Sequence, residues 1–288
     1  MPPLDLVTRI RDARPLPTTQ ERVARYLEVS YAAVPFHTAD QIALAAGASK
    51  ATVVRFVRRL GYEGIHELRA QLRNALYGIG DSPASRFDRR QEGVDLRTQL
   101  NRLGRQEARN IKSTVDLLDV GELQGLCTDL IRADTVWVFG QRFSHGIAFN
   151  LGLLLSQLLP RVQTVSGEGG ALPDRLGAMR ADDHLIIVAH RRVGAVKIAL
   201  SEYARDRGTP YSVLTDLQDD IGGLVANAAH ALRSVTDTAG AFNSYAASLV
   251  LAHAIAAVLE RAAPTAPSRL TQAEVALQRF GSFAGEGR

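Results

Sequence analysis

Residues 49–60 form a short stretch whose polar side chains could bind nucleic acid. It contains four basic residues and no acidic residue. The polar side chains in its first turn and on one face are Ser49, Lys50, Thr52, Arg55, Arg58 and Arg59. A recognition helix places its first turns against base edges in the major groove, while flanking cations hold phosphates. We therefore expect Arg55 to contact a guanine in bidentate fashion and Arg58 and Arg59 to contact phosphates. On these residues alone, a three-helix bundle with a solvated basic face remains the alternative.

Helix-capping patterns predict that this stretch belongs to a helix-turn-helix. Thr38 begins a capping-box pattern for a helix over 40–46, which Gly47 is suited to end. Ser49 is an N-cap for a second helix that runs to residue 60. A further capping-box pattern at residues 18–21 predicts an earlier helix that ends near residue 33.

Polar loops follow the apolar strands that we predict in the second half of the chain. These strands span 135–140, 161–165, 184–189, 211–215 and 230–235. Apolar strands that alternate with helices indicate a parallel sheet covered by helices on both faces. The carboxyl ends of such strands present backbone amides and helix N-termini, which bind anions. We therefore expect a ligand site after the strands that end near Phe139, Ala189 and Leu214.

The composition is that of a globular protein with room for two domains. The chain has 288 residues, of which 46% are hydrophobic and 22% charged. Residues 1–80 contain eleven basic and seven acidic side chains, so they hold the whole net charge of +4. This asymmetry favours an anionic partner for the N-terminal part. A single cysteine excludes an internal disulfide, and we expect a cytoplasmic protein without a secretory signal or membrane contact.

Breaks in composition divide the chain into four parts. We predict an all-α helix-turn-helix domain over 1–80, a linker over 81–96, an α/β domain over 97–262 and a C-terminal tail over 263–288. Short helices are expected near 219–228 and 271–280, and a long helix over 240–262.

Two motifs in the N-terminal part are specific enough to resemble a known family. Residues 43–56 contain A-x3-G-x-S-x-A-T-V-V-R-F, and residues 60–64 read L-G-Y-E-G. Together with residues 16–27, they resemble the DNA-binding domain of RpiR/MurR-type transcriptional regulators, closely over about 16–76. More loosely, about 120–262 resembles the sugar isomerase (SIS) domain that is the usual second module of that family.

The resemblance to SIS domains implies a phosphosugar site built from a G-x-G-x-S loop and an S-x-S-G-x-T loop. Gly140 and Ser144 match the first loop, but Arg142 replaces its second glycine. In the second loop the family residues Ser, Ser, Gly and Thr are replaced by Ala189, Arg191, Arg192 and Gly194. The phosphate-cradling hydroxyls of that loop are therefore lost.

Two interpretations of the altered loops remain open. In the first, a pocket binds a different anionic effector, such as a carboxylate, because arginine binds carboxylate or phosphate with two parallel hydrogen bonds. The residues of that pocket would be Gly140, Arg142, Ser144, Arg191, Arg192 and Thr215. In the second, the pocket is lost and the arginines lie at the surface or in a dimer interface.

The resemblance implies a transcriptional regulator that binds double-stranded operator DNA as a homodimer or a dimer of dimers. Its effector is expected to be a small anionic metabolite, and its target a catabolic or metabolic operon. We expect no catalysis, cofactor or metal, since the seven histidines lack metal-ligand spacing. The alternatives are a phosphosugar isomerase with a helical accessory domain and His145 as its base, or a small-molecule-binding protein whose helical bundle contacts protein.

Overall fold

The structure is a computed structural model that describes residues 4–31, 33–76, 83–88, 93–166, 170–217 and 220–280. The chain forms two compact units, the first made chiefly of residues before 87 and the second of residues after 86. The first unit is helical, and the second contains a parallel sheet with flanking helices. The predicted fold class is confirmed. The boundary predicted at residue 80 lies outside the described residues.

The first unit is a bundle of short amphipathic helices around one apolar core. Its described helices are α1 (Leu4–Asp12), α2 (Thr18–Val29), a 3₁₀ turn (Val34–Phe36), α3 (Ala39–Ala45), α4 (Lys50–Arg59) and α5 (Ile65–Leu76). Ile10, Leu27, Ile42, Phe56 and Leu72 are fully buried and come from five different helices. Apolar residues at helical spacing on each element therefore meet in this core.

Two of the three predicted caps form in the first unit, and one does not. Thr38 and Gln41 make the full capping box at the start of α3, and Ser49 caps α4. By contrast, α2 begins at Thr18 and has Pro17 at its N-cap, without a side-chain hydrogen bond. Pro17 has an extended ψ of 148°, so the helix can start directly after it and Thr18 becomes a helical residue. The prediction of a capping box at 18–21 is wrong.

The second unit alternates helices and strands. Its described elements are α7 (Leu96–Leu117), α8 (Val120–Arg132), β1 (Val136–Gly140), α9 (Phe143–Leu158), β2 (Val162–Ser166), α10 (Leu172–Leu176), β3 (His184–Ala189), α11 (Ala195–Asp206), β4 (Tyr211–Thr215), β5 (His230–Arg233), α12 (Ala246–Ala262) and α13 (Ala266–Arg279). A short helix, α6 (Pro83–Asp88), lies within the stretch predicted as a linker.

The five strands form one parallel sheet in the order β2-β1-β3-β4-β5. All residues of β1, β3 and β4 are buried, as expected for central strands with helices on both faces. From β1 the chain passes outward to β2 and then returns to β3 on the opposite side of β1. Loops after β1 and β3 therefore diverge at a topological switch point, where ligands bind in open α/β sheets.

Three predicted elements differ from the structure in the last third of the chain. The described residues 220–228 form turns and no helix, because Gly222 and Gly223 both have positive φ. Helix α12 begins at Ala246, six residues later than predicted. The helix predicted at 271–280 is present as α13, but it begins at Ala266, five residues earlier. It packs on α9, and Thr265 Oγ1 donates a hydrogen bond of 2.8 Å to the carbonyl of Leu158.

Among the described residues, no single helix is long and apolar enough to cross a membrane. Helices α12 and α13 taken together reach that length and composition, but the chain bends by 111° between them.

Candidate functional sites

The turn between α3 and α4 is tight and fixed by backbone hydrogen bonds. Gly47 adopts a φ of +59°, and the amide of Ala48 donates to the carbonyl of Ala43 at 2.9 Å. These are the features of a glycine-terminated helix end. Ala43 is buried beneath the turn, so the two helices approach closely. The result is a helix-turn-helix in which α4 is the second helix.

The six residues predicted to bind DNA differ in what they contact. Ser49 Oγ lies 2.9 Å from Thr52 Oγ1 and accepts the amide of Thr52 at 3.2 Å. Thr52 is buried. Lys50 is exposed, and its Nζ donates to Asp40 Oδ2 at 2.8 Å. Ser49 and Thr52 therefore shape the first turn of α4, while Lys50 is partly neutralised in the absence of DNA.

The arginines of α4 divide into a structural one and two solvent-facing ones. Arg59 Nη2 donates to the carbonyls of Ala13 and Pro15, at 2.9 and 3.2 Å. This side chain ties α4 to the segment between α1 and α2. Arg55 and Arg58 are exposed, and neither has a polar partner among the residues that the structure describes. Among the arginines of α4, these two are free to contact an anionic surface.

The loop after β1 keeps the backbone of a glycine-rich turn although its sequence has changed. A side-chain carbon at Gly140 would lie 2.6 Å from the Cβ of Ala148 and closer still to the backbone of Ser144. Arg142 has a φ of +57° and a ψ of −129°, a conformation that glycine adopts freely. An arginine there costs about 1–3 kcal/mol of backbone strain. The loop geometry is therefore retained at both positions.

Five side chains form a buried hydrogen-bond chain at the carboxyl ends of the strands, which we call the strand-end relay. Its members, in order, are Lys197, Ser144, His190, Ser248 and Ser234. The successive distances are 3.4, 3.3, 2.7 and 2.7 Å. The last hydroxyl donates to the carbonyl of Thr215 at 3.4 Å. All five residues are buried.

The chemistry of its two ends, together with a neutral His190, fixes the direction of every bond in the strand-end relay. An ammonium can only donate and a carbonyl can only accept. Ser144 therefore accepts from Lys197 and donates to Nδ1 of His190, whose protonated Nε2 donates to Ser248. Such an arrangement needs a neutral imidazole. Burial lowers the pKa of His190 to about 4, against a smaller raising effect of Asp216, so this ring is neutral at pH 7.

Lys197 is a buried cation without a carboxylate partner. Its relative exposure is 4%, and no described carboxylate oxygen lies within 4.0 Å of its Nζ. Burial lowers its pKa to about 8, Asp216 raises it, and Arg142 lowers it further. The ammonium is therefore still largely charged at pH 7, and only one of its three donors has a partner in the part of the chain that the structure describes.

The other predicted effector residues are mostly engaged within the protein. Arg191 donates to Asp216 through its amide at 2.6 Å and its Nε at 3.0 Å. Thr215 Oγ1 donates to the carbonyl of Ala189 at 2.6 Å. Nη2 of Arg192 is buried and has no hydrogen-bond partner in the described part of the chain. Of these three side chains, Arg192 alone has a buried donor left over.

Sequence reasoning singled out Ser144 but missed the rest of the strand-end relay and Asp216. A signal for Lys197 was present: the buried residues of α11 are 197, 200, 201 and 204, which is the spacing of one helix face. A lysine on that face is unusual and indicates a buried charge. Ser248 and Ser234 carry no such signal, because the contacts of Ser248 with His190 and with Ser234 depend on how α12 packs on the sheet.

Two family models match the chain. The helix-turn-helix domain of the rpiR family matches residues 6–77, and the SIS domain matches residues 129–258. The first match contains α3 and α4, and the second contains β1 to β5 and the strand-end relay.

Several solved structures share the fold. The NanR protein of Vibrio vulnificus, complexed with ManNAc-6P, is 18% identical, with a TM-score of 0.59, 97% of this chain and 100% of that chain covered. The sugar isomerase domain of an RpiR transcription factor from Sphaerobacter thermophilus is 24% identical, with a TM-score of 0.57. The match covers 63% of this chain and 99% of that chain. The E. coli CFT073 protein c3406 is 18% identical, with a TM-score of 0.54. The match covers 64% of this chain and 100% of that chain. At these identities the matches show a common fold.

Proposed function

The chain carries a helix-turn-helix domain of the rpiR family and a SIS domain, and from this premise we propose that it is a transcriptional regulator that binds operator DNA in response to a small anionic metabolite. The observation that carries the proposal is the surface of α4. Arg55 and Arg58 are exposed there, on a helix without acidic residues that follows a tight turn. Guanidinium groups in this position can reach base edges and phosphates in the major groove.

The contacts of the six candidate residues suggest distinct roles on DNA. Arg55 reads a guanine edge, and Arg58 holds a phosphate. Lys50 exchanges its ion pair with Asp40 for a phosphate when DNA is present. Ser49 and Thr52 present the first turn of α4, and Arg59 holds the helix in place.

The effector site that we propose lies at the carboxyl ends of β1 and β3. Lys197 and Arg192 each have a buried donor to spare, and Arg142 projects from the same loop as Ser144. An anion bound there would satisfy these donors. The chain would act as a homodimer or a dimer of dimers, since a change in the separation of two recognition helices alters the match to half-sites a helical turn apart.

A gel-shift titration of the full chain with DNA from upstream of its own gene tests the DNA-binding role. Arg55→Ala should weaken selective binding about 5- to 150-fold and relax the preference at one base pair. Arg58→Ala should weaken selective and non-selective DNA equally and lower the salt slope by about one.

Arg11→Ala is the matched control, since Arg11 is exposed on α1 beside Asp12 and should not contribute. If Arg55→Ala keeps the selectivity of the unaltered chain, α4 is not the reading helix.

The alternative of a phosphosugar isomerase needs a base at the strand ends. The ring of His145 lies beside Phe149, with the centroids 6.3 Å apart, further along α9. His190 has both ring nitrogens within hydrogen-bond distance of serine hydroxyls. Because both nitrogens of His190 are engaged with the protein, this ring is not free to take a proton from a substrate, which favours the regulator.

A further inference from the structure

Two side chains at the strand ends, Lys197 and Arg192, have hydrogen-bond donors to spare. The strand-end relay leaves two N–H groups of Lys197 free, and Nη2 of Arg192 is buried without a partner among the described residues. The one buried carboxylate described nearby, Asp216, already accepts from Arg191 and Thr236. Buried donors without acceptors are costly, and a buried charge is more so. A bound acceptor with negative charge would satisfy the ammonium of Lys197.

The hydroxyls at the same place are already used within the protein. Ser144, Ser248 and Ser234 belong to the strand-end relay, Thr215 donates to the carbonyl of Ala189, and Thr236 donates to Asp216. A sugar hydroxyl that takes the acceptor of one of these hydroxyls competes with a hydrogen bond that the protein already makes. A ligand without many hydroxyl groups avoids that cost.

Aromatic rings connect the strand-end relay to the surface, and we call them the aromatic run. The ring of Tyr245 meets His190 edge-on with centroids 4.8 Å apart. Phe143 lies 6.2 Å from Tyr245, and Phe242 lies 6.2 Å from Phe143. Phe143 and Phe242 are 60% and 64% exposed. Two phenyl rings thus face solvent, and Phe143 directly precedes Ser144, the hydroxyl that accepts from the buried ammonium of Lys197.

We propose that the effector is an organic anion with a flat apolar body, an aryl or arylalkyl carboxylate or phosphate, whose charged group binds Lys197 and whose ring packs on Phe143 and Phe242. This inference rests on the proposed function, because it names the ligand class of the proposed effector site. Ligand sites commonly combine apolar and aromatic walls with a few polar groups that fix orientation. The charge of Lys197 favours a small anion over a second copy of the chain as the occupant of the aromatic run, because an apolar contact between chains does not need a buried ammonium.

Isothermal titration of the full chain at pH 7 with four probes tests the ligand class. The probes are phenylacetate, phenyl phosphate, glucose 6-phosphate and inorganic phosphate. At least one aromatic anion should bind about tenfold or more tighter than both glucose 6-phosphate and inorganic phosphate. The proposal is overturned if glucose 6-phosphate binds as tightly as the better aromatic anion, or if neither aromatic anion binds at millimolar concentration.

Two pairs of variants test the two contacts. Lys197→Met should lower the affinity for the better aromatic anion about tenfold or more, while Lys112→Met, at an exposed lysine on α7, should leave it unchanged. Phe143→Ser should lower that affinity about fivefold without changing the weak binding of inorganic phosphate. Phe149→Ser is its control, since Phe149 is equally exposed on α9 and lies further along the helix.

Folding does not confound the lysine test, because replacing a buried charge with an apolar side chain of similar length is neutral or stabilising. Unchanged anion affinity in Lys197→Met overturns the proposal. The proposal is also overturned if Phe143→Ser changes the oligomeric state, measured by light scattering, and keeps the affinity for the aromatic anions. In that case the aromatic run joins two chains.

The gel shift separates this proposal from the proposed function. Selective DNA binding of the ligand-free chain does not require Lys197. If Lys197→Met binds DNA as the unaltered chain does while the aromatic anions fail to bind the unaltered chain, the ligand class is wrong and the regulator stands. If Arg55→Ala keeps full selectivity, the DNA-binding assignment is wrong whatever the probes show.

Discussion

Lys197 should make the stability of the second unit depend on pH, and the direction of that dependence follows from its lowered pKa. Its pKa is about 8 in the folded chain against 10.5 for an ordinary lysine. Below pH 8 the ammonium is charged in both states, so the folded state bears the full cost of burial. Between pH 8 and 10.5 the unfolded chain binds more protons, and the free energy of unfolding therefore rises with pH. From pH 7 to 9.5 Lys197 alone should contribute a gain of about 1–2 kcal/mol. Burial raises the pKa of the Cys127 thiol to about 12, which offsets part of this gain in every variant because the unfolded thiol loses its proton over the same range.

Urea unfolding of the chain and of Lys197→Met, at both pH values, measures this gain. Fluorescence of Trp137, the only tryptophan, reports on the second unit. The buffers should contain no phosphate or carboxylate, since a bound anion would hold the proton on Lys197. Lys112→Met should retain the gain and Lys197→Met should lose it. Parallel pH profiles for all three proteins would mean that Lys197 is not a buried charge.

At the residue scale, the sequence predicts side chains that act alone better than those that act in pairs. The exposure of Arg55 and Arg58 follows from the spacing of apolar residues on one helix. The pairing of Arg191 with Asp216 joins residues 25 positions apart and depends on the register of β3 against β4. The hydrogen bonds of Arg59 to the carbonyls of Ala13 and Pro15 join residues 46 and 44 positions apart. Such contacts have no local signature.

At the scale of elements, α4 is held in place by its last arginine as well as by its apolar face. Arg59→Ala removes two hydrogen bonds to backbone carbonyls and should destabilise the helix-turn-helix by about 1 kcal/mol. Hydrogen exchange of the full chain, read on peptides from 4–20 and 49–60, should show faster exchange in that variant. The neighbouring Arg58→Ala is the control and should leave exchange unchanged while lowering the salt slope of DNA binding. Equal exchange in both variants would contradict an anchoring role.

Elements with strong local signals were predicted to within a residue or two. The strands predicted at 184–189 and 211–215 match β3 and β4, because an uninterrupted apolar run of that length is typical of a buried strand. Helices α3 and α4 were bounded by cap residues that form the expected hydrogen bonds. The errors fall where local signals conflict: Pro17 displaces a cap that Thr18 and Glu21 could have formed, and adjacent glycines prevent a helix near 220–228.

At the scale of the whole molecule, the parallel sheet could be predicted from the alternation of elements, but the order of its strands could not. That order places the loops after β1 and β3 side by side, and so brings Ser144 within reach of His190 and Lys197. The strand-end relay is thus a property of the topology. Sequence motifs indicated only that one of its members, Ser144, belongs to a site.

If the proposed effector acts through the proposed DNA-binding surface, the two binding reactions must be coupled equally in both directions. Linkage requires that an effector which changes operator affinity by some factor has its own affinity changed by the same factor, typically about 5- to 150-fold. We expect the tighter of phenylacetate and phenyl phosphate to shift operator affinity in a gel-shift titration. Titration of the same probe into the chain saturated with operator should return the same factor. Lys197→Met should abolish the effect of the probe and keep DNA binding, whereas Arg55→Ala should lose selective DNA binding and keep the affinity for the probe. If both ligands bind but neither changes the affinity for the other, the operator and the probe bind independently of each other.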